Sequence, residues 1–236
     1  MAGLQYKTLE SDQLLGSVSY DDVENFDQVE TPLDLIHRPM PRWKRACDIL
    51  GSATLIFFLS PVLAGVALFI RLVSGEFPIY QQNRLGERGE YFTIYKFRTL
   101  STSHNASNHR QYVSSLRDSD TALEKPDFGD SVIKGGAVLR AYAIDELPQL
   151  FNVLFGSMSL VGPRPDVLGW DDYEPYQRRR FEATPGMTGL WQVSGKNELS
   201  FAEMVELDLK YIKDRSPGLD LWILSRTARV VLNTID

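Results

Sequence analysis

The sequence is organised around the stretch Leu139-Arg-Ala-Tyr-Ala-Ile-Asp-Glu-Leu-Pro-Gln149, which continues through an apolar run to Gly162-Pro-Arg-Pro165. Two adjacent carboxylates, Asp145 and Glu146, stand at the head of a predicted helix. Together with Arg164 in the turn, they are typical of a site for a phosphorylated substrate, because carboxylates bind Mg²⁺, and Mg²⁺ and basic side chains neutralise phosphate. Taken alone, an Asp-Glu pair at a helix start is more often structural, since acids favour the positive end of the helix dipole.

The net charge of −6 is unevenly distributed along the 236 residues. Residues 1–38 carry eight acidic side chains against Lys7 and Arg38, and the rest of the chain is neutral overall. This composition predicts a disordered acidic tail over residues 1–38. Because no basic excess is present, we expect no nucleic-acid partner. The single cysteine, Cys47, excludes an intramolecular disulfide.

An uncharged run of 22 residues, Ile49–Ile70, follows a basic flank. About 20 apolar residues cross a bilayer, so membrane insertion is favoured over a buried core helix. Pro61 lies at the centre of the run and predicts a kink, because proline removes one helix hydrogen bond. Both flanks are basic, so the positive-inside rule selects no orientation. A re-entrant helix-break-helix removes this conflict by keeping both flanks in the cytosol, and a kinked span is the alternative.

Several local patterns surround these two features. The segments 78–84 and 91–97 predict a β-hairpin that places Lys96 and Arg98 on one face. The polar insertion 101–130, with a short helix near 111–117, is either a lid or specificity element or only a tolerated loop. A helix is predicted over Trp170–Phe181, and a capping box at Ser200 predicts one to about Lys213. The glycine-rich segment 184–195 is interpreted as a functional loop. A final amphipathic helix is predicted over 219–233, with an apolar face formed by Leu221, Trp222, Leu224, Ala228, Val231 and Leu232 that packs in the core or on a membrane.

Many ordered motifs resemble those of the monotopic bacterial polyprenyl-phosphate phosphoglycosyl transferases, the bacterial sugar transferase family. The resemblance runs from about Arg42 to Thr234. Its motifs are Lys44-Arg-Ala-Cys-Asp48, Ser60-Pro61, Tyr80-Gln-Gln-Asn-Arg-Leu-Gly86, Tyr95-Lys-Phe-Arg-Thr99, Asp145-Glu-Leu-Pro-Gln149, the run Asn152–Pro165, the run Pro185–Gly195 and Leu207-Asp-Leu-Lys-Tyr211. One departure is Lys196, where the family commonly has arginine, and these two side chains are not equivalent at bidentate sites.

The resemblance implies transfer of a sugar 1-phosphate from a UDP-sugar to undecaprenyl phosphate, with release of UMP, at the start of a lipid-linked glycan. It implies Asp145 as the nucleophile that forms a phosphosugar-enzyme intermediate, and Glu146 as its assistant through Mg²⁺ or proton transfer. Both carboxylates are candidate Mg²⁺ ligands. The candidate residues for binding phosphate or substrate are Arg84, Lys96, Arg98, Arg164, Gln192 and Asp208.

The expected fold class is α+β and mostly helical. Residues 39–75 would form the re-entrant membrane hairpin, and residues 76–236 a cytosolic catalytic domain with a small β-hairpin and amphipathic interfacial helices. The resemblance places the protein at the bacterial inner membrane, with UDP-sugar, polyprenyl phosphate and membrane lipid as partners, and leaves a homodimer open. Two alternatives remain: a membrane-anchored scaffold of the same fold without turnover, and a phosphodiesterase that hydrolyses the sugar nucleotide. The intact Asp145-Glu146 pair favours an enzyme over the scaffold.

Overall fold

The computed structural model describes residues 29–101, 131–195 and 199–232. The predictions for residues 1–28, for almost all of the 101–130 insertion and for Lys196 lie outside these ranges. The α+β, mostly helical class is confirmed. In chain order the helices and strands are α1 (Arg42–Ser74), β1 (Ile79–Leu85), β2 (Tyr91–Phe97), α2 (Gly136–Ala141), α3 (Gln149–Phe155), β3 (Ser159–Val161), α4 (Pro175–Arg178), β4 (Gly186–Thr188), α5 (Leu190–Val193), α6 (Phe201–Asp214) and α7 (Pro217–Leu232).

Helix α1 is long and apolar enough to cross a membrane. Only 6% of its most apolar 18-residue segment is buried inside the structure. The helix continues through Pro61, so the predicted break is not an interruption of the helix. The carbonyl of Phe57 would normally accept from the N–H that Pro61 lacks. Ser60 Oγ donates to this carbonyl at 2.8 Å instead, which satisfies the group that the proline leaves unbonded.

Both ends of α1 contact the same globular body. Near the N-terminus, Lys44 pairs with Asp220 of α7. Near the C-terminus, Ile70 is completely buried in a cluster with Phe97 and Leu139. Between these contacts the helix is open, and its central side chains include Phe57 and Phe58, which are 73% and 72% exposed. The apolar surface left uncovered therefore belongs to the middle of the helix.

The predicted hairpin is confirmed. Strands β1 and β2 are antiparallel, with Ile79 opposite Phe97 and Leu85 opposite Tyr91. A second, parallel ladder pairs β3 with β4, Ser159 lying opposite Gly186. The segment 184–195 is thus not a plain loop, because it contains β4 and α5. A Cβ on Gly186 would lie 2.1 Å from the backbone nitrogen of Gly162, so only glycine allows the two chains to approach this closely.

The helices after the Asp145-Glu146 pair differ in how well the sequence predicts them. The Ser200 capping box is confirmed, and α6 follows it. The single helix predicted over Trp170–Phe181 is wrong: a 3₁₀ helix, α4 and a second 3₁₀ helix replace it, because extended residues precede Pro175. On the last helix, Leu221 is exposed and does not pack in the core, whereas Asp220 and Ile223, which were outside the predicted apolar face, are buried.

Residues 29–38, at the end of the predicted acidic tail, are ordered against the domain. Val29 and Leu35 are buried in the main core. Trp170 Nε1 donates to the Glu30 carbonyl at 3.0 Å, and Arg178 donates to the carbonyls of Val29 and Glu30. Composition missed this because a few buried apolar residues and backbone acceptors suffice to dock a short polar segment.

Candidate active site

Glu146 lies in a 3₁₀ helix, Ile144–Glu146, and about four fifths of its side chain is buried. Lys96 Nζ donates to Glu146 Oε1 at 2.9 Å, and Arg164 donates to both carboxylate oxygens. Burial opposes ionisation, but Arg164 and Lys96 outweigh it and hold the pKa of Glu146 well below its usual range. Glu146 is therefore ionised and bound to two cations. This geometry does not suit the proton-transfer role that was one prediction for it.

Asp145 has a different environment although it is the neighbouring residue. Within the ranges that the structure describes, its carboxylate forms no hydrogen bond or ion pair, and the nearby charges act through space. Burial and then Glu146 raise its pKa, against the opposing effect of Lys96, Arg140 and Arg164. A carboxylate that no donor holds keeps its oxygen lone pairs available, so Asp145 is the candidate nucleophile of the pair.

Strand β2 and helix α3 bring Lys96 to the carboxylates. Lys96 alternates with the buried Phe97, so its side chain leaves the opposite face of the strand. Asn152 of α3 accepts from the Tyr95 N–H at 3.0 Å and donates to the Thr93 carbonyl at 2.7 Å. Because α3 begins just after the carboxylate pair, this amide fixes the pair against the strand that carries Lys96.

Arg164 is positioned by the turn that follows β3. The Gly162 N–H donates to the Thr188 carbonyl, and the Gly186 N–H donates to the Pro163 carbonyl, both at 2.9 Å. The Arg164 side chain also lies 3.3 Å from the Met187 carbonyl. The basic turn and the glycine-rich segment, which the sequence presents as two separate features, thus form one structure. We call Lys96, Glu146 and Arg164 the front network.

A second group of charges lies behind this turn and was not predicted. Arg180 donates to Asp166 at 2.6 Å, to Asp208 at 2.7 Å and to the Arg164 carbonyl at 2.7 Å. We call Asp166, Arg180 and Asp208 the rear network. Asp208, a predicted substrate ligand, is 0% exposed, so it holds Arg180 rather than contacting a substrate. The run Arg178–Arg180 was visible in the sequence, but no local pattern distinguishes its buried member.

The other predicted ligands occupy different places. Arg84 is buried, and burial lowers its pKa to about 10, with Asp166 opposing and Arg164 adding to the effect. It therefore lies close to both networks. Arg98 forms an ion pair with Glu76 at 3.3 Å and donates to the Phe77 carbonyl, both beyond the end of α1. Gln192 of α5 has a buried Oε1 without a hydrogen-bond partner in the described ranges. The predicted ligand roles of these three residues stay predictions.

The donor set of the carboxylate pair fits Mg²⁺ in its chemistry. Mg²⁺ prefers oxygen ligands and is commonly bound by one or two carboxylates together with substrate phosphates. No described residue bonds to the Asp145 carboxylate, whereas Glu146 would share its oxygens with Lys96 and Arg164. The described residues contain no cluster of three or more acidic, histidine or cysteine side chains. Any Mg²⁺ held by this pair would therefore depend on phosphate oxygens for further ligands.

The structure thus combines a helix that is long and apolar enough to cross a membrane with a carboxylate pair of which Glu146 is bound by two cations. Residues 40–234 match the family described as Bacterial sugar transferase, and the chain belongs to that family. It is 40% identical over 200 residues to an uncharacterized sugar transferase of Haemophilus influenzae, which covers 80% of this chain and 41% of the relative.

Two further relatives have more informative names. The undecaprenyl-phosphate galactose phosphotransferase of Salmonella typhimurium is 37% identical over 202 residues, covering 80% of this chain and 40% of the relative. The UDP-glucose:undecaprenyl-phosphate glucose-1-phosphate transferase of Caulobacter vibrioides is 37% identical over 206 residues, covering 84% and 72%. The chain thus spans about two fifths of the length of the Haemophilus and Salmonella proteins.

Proposed function

We propose that this protein is a phosphoglycosyl transferase that moves a sugar 1-phosphate from a UDP-sugar to undecaprenyl phosphate and releases UMP. The observation that carries the proposal is the contrast within the carboxylate pair: among the described residues Asp145 has no hydrogen-bond or ion-pair partner, while Glu146 is fixed by Lys96 and Arg164. The names of the Salmonella and Caulobacter relatives support the lipid acceptor, and the name of the Caulobacter relative supports the UDP-sugar.

The geometry suits a two-step transfer. In the first step, an Asp145 carboxylate oxygen attacks the sugar-bearing phosphorus of the donor. The bond from this phosphorus to the bridging oxygen breaks, UMP leaves with that oxygen, and an aspartyl-phosphosugar forms. In the second step, a phosphate oxygen of the lipid attacks the same phosphorus, the acyl-phosphate bond breaks and Asp145 is regenerated. Neither step needs a proton from Glu146, which agrees with its low pKa.

The cations beside Asp145 supply charge neutralisation. Lys96 and Arg164 are held by Glu146 at the site, so they need little reorganisation when a diphosphate arrives. Arg164 offers a planar fork of donors that suits phosphate oxygens. Mg²⁺ bound by the carboxylates and the diphosphate would add to the same neutralisation. Removal of Mg²⁺ with EDTA should therefore abolish UMP release, and added Mg²⁺ should restore it.

We further propose that α1 bends at Pro61 within one leaflet of the bacterial inner membrane, so that both of its ends and the domain stay on the cytosolic face. Two observations support this. Lys44 and Ile70, near opposite ends of the helix, contact the same body, and a helix that crossed the bilayer would separate them. The exposed apolar side chains lie between these anchor points, around Phe57 and Phe58. This arrangement brings a water-soluble donor and a lipid phosphate to one site.

Capture of the intermediate tests the proposed function. The full-length protein in detergent with Mg²⁺ is incubated with a panel of UDP-sugars without lipid, and its peptides are analysed by mass spectrometry. We expect one donor to add a phosphosugar to the peptide that contains Asp145, and undecaprenyl phosphate to remove it. Asp145→Asn should prevent this addition. Asp171→Asn, which changes an exposed acid in the same domain, is its matched control. Lipid-independent formation of free sugar phosphate would instead identify a hydrolase, and no UMP release from any donor would favour the non-catalytic scaffold.

A further inference from the structure

We propose that Arg45 and Asp48, supported by Lys44, are positioning residues that align the two halves of the active site on the membrane helix. The two halves are the carboxylate pair, which leads into α3, and the turn of Arg164, which follows β3. They come from separate elements of the chain. The first turns of α1 contact both elements through buried or half-buried charged side chains. This inference rests on the proposed function for its kinetic consequences.

Asp48 contacts the strand that leads to Arg164. Its Oδ1 accepts from the Leu160 N–H at 2.9 Å, and the residue is 2% exposed. The neighbouring Ser159 N–H bonds to the Pro185 carbonyl, so successive N–H groups of β3 face β4 and α1 in turn. Asp48 therefore occupies the free edge of a very short strand. This hydrogen bond fixes the position of the strand along the axis of α1.

Arg45 contacts the helix that follows the carboxylate pair. It donates to the carbonyls of Val153 and Leu154 at 2.7 and 2.8 Å. These carbonyls lie in the last turn of α3, where helix acceptors lack their usual partners and a positive charge is favoured by the dipole; besides Arg45, Val153 has only the capping Gly156 N–H at 3.1 Å among the described residues. Arg45 thus holds the C-terminal end of α3, while the carboxylate pair lies just before its N-terminal end. Helix α3 is only seven residues long, so a shift at one end moves the other.

Lys44 completes the contact with β3 from a second direction. Lys44 Nζ lies 2.6 Å from Asp220 Oδ2, and both residues are buried. The Tyr211 hydroxyl lies 2.8 Å from Asp220 Oδ1 and 3.0 Å from the Val161 carbonyl. Strand β3 is therefore held at Leu160 by Asp48 and at Val161 through Tyr211. Both contacts lie within four residues of Arg164.

This arrangement changes the interpretation of the basic flank. Lys44 and Arg45 lie in the flank that precedes the apolar run, where basic residues usually meet lipid headgroups. In the structure their charges are turned towards the domain. Arg42 is exposed and has no ion pair within the described ranges, so it is the residue left to meet headgroups. Charge at the membrane and alignment of the site can therefore be separated by comparing variants of the same helix.

The test uses the full-length protein in vesicles that contain phosphatidylglycerol and undecaprenyl phosphate. The variants are Asp48→Ala, Asp48→Asn, Arg45→Ala, Arg45→Lys and the control Arg42→Ala. A small displacement of catalytic groups costs about tenfold to hundredfold in rate. We expect such a loss of kcat in Asp48→Ala and Arg45→Ala. Asp48→Asn should retain most activity because its amide oxygen can still accept from Leu160, and Arg45→Lys should be intermediate because it reaches one carbonyl only.

Hydrogen exchange of the peptide over residues 158–164 gives a readout without turnover. We expect faster exchange in Asp48→Ala than in Asp48→Asn or Arg42→Ala, with equal vesicle flotation for the two Asp48 variants. Equal kinetic losses in Arg42→Ala and Arg45→Ala, or in Asp48→Asn and Asp48→Ala, would overturn the inference in favour of a charge effect.

If Asp48→Ala does not fold, Tyr211→Phe and Arg45→Lys carry the test, and unchanged exchange and kcat in both would overturn it. If the wild type releases no UMP, the proposed function fails, and the exchange data still decide the positioning.

Discussion

The front and rear networks both join an arginine to carboxylates, yet they differ in access to solvent. In the front network the side chains of Lys96, Glu146 and Arg164 keep 19–26% of their surface exposed. In the rear network Arg180 and Asp208 keep 5% and 1%, whereas Asp166, at its edge, keeps 23%. The two meet at Arg164, whose side chain belongs to the front and whose carbonyl accepts from Arg180 of the rear.

This difference separates a reactive arrangement from a structural one. Exposed donors can transfer their hydrogen bonds from Glu146 to a substrate phosphate. Donors that are fully enclosed cannot do so, and their loss leaves an uncompensated buried charge, which is strongly destabilising. Variants of the front network should therefore change activity more than stability, and variants of the rear network should do the reverse. The following predictions test that separation, from the largest effect to the smallest.

Asp145→Asn should reduce UMP release by at least about a thousandfold, because the amide cannot form the acyl phosphate. Burial raises the pKa of Asp145 above its ordinary 3.8, so ionisation disfavours the fold as pH rises past that value. We therefore expect the free energy of unfolding at pH 7 to equal or exceed that of the wild type, and any gain to vanish below pH 3.8. Activity assays and denaturant titrations check both parts. A clear loss of stability would place Asp145 with the structural charges.

Asp208→Asn should lower the free energy of unfolding by about 1–3 kcal/mol, because Arg180 loses one of its two carboxylate partners and keeps Asp166. The matched control is Asp214→Asn, whose partner Lys210 forms an exposed pair worth about 0–1 kcal/mol. Denaturant unfolding of the two variants makes the comparison. Equal stability in both would contradict the structural role of the rear network.

Lys96→Met should lower kcat/KM by about tenfold to a thousandfold, since one charge at the diphosphate is lost. Lys96 lowers the pKa of Asp145, so its removal should move the acid limb of the kcat/KM profile to higher pH. Lys96→Arg keeps the charge and should leave the limb in place. The pH profiles of the two variants decide the point, and identical limbs would show that Lys96 does not act on the nucleophile.

Tyr173→Phe should have the smallest effect. The Tyr173 hydroxyl donates to Asp166 and lies 3.2 Å from Arg180, at the margin of the rear network. Loss of one such hydrogen bond costs about 1 kcal/mol. We expect this change in the free energy of unfolding with kcat within about twofold of the wild type. A larger effect on kcat than on stability would show that the two networks are not separable.

Local patterns predicted much of the fold and the centre of the site. The β-hairpin follows from two short β-rich segments with glycines between them, and α6 follows from the capping box at Ser200. The meeting of Lys96, Glu146 and Arg164 was anticipated because acid, base and turn had complementary chemistry. The predictions failed where burial decided the outcome. From the sequence alone, Asp208 and Arg180 cannot be distinguished from solvated charges, and Leu221 cannot be distinguished from a core residue.

The class of fold, the long apolar helix and the proposed reactive pair follow from the sequence, because they depend on periodicity, length and the order of chemical groups along the chain. The tertiary structure distinguishes the two members of the pair, since among the described residues only Glu146 has bonded partners. Asp145 and Glu146 are adjacent and chemically alike, and the difference between them arises from Lys96 and Arg164, which lie far away in the chain. Electrostatic interactions depend on distance in space and on burial, and the order of residues gives neither quantity directly.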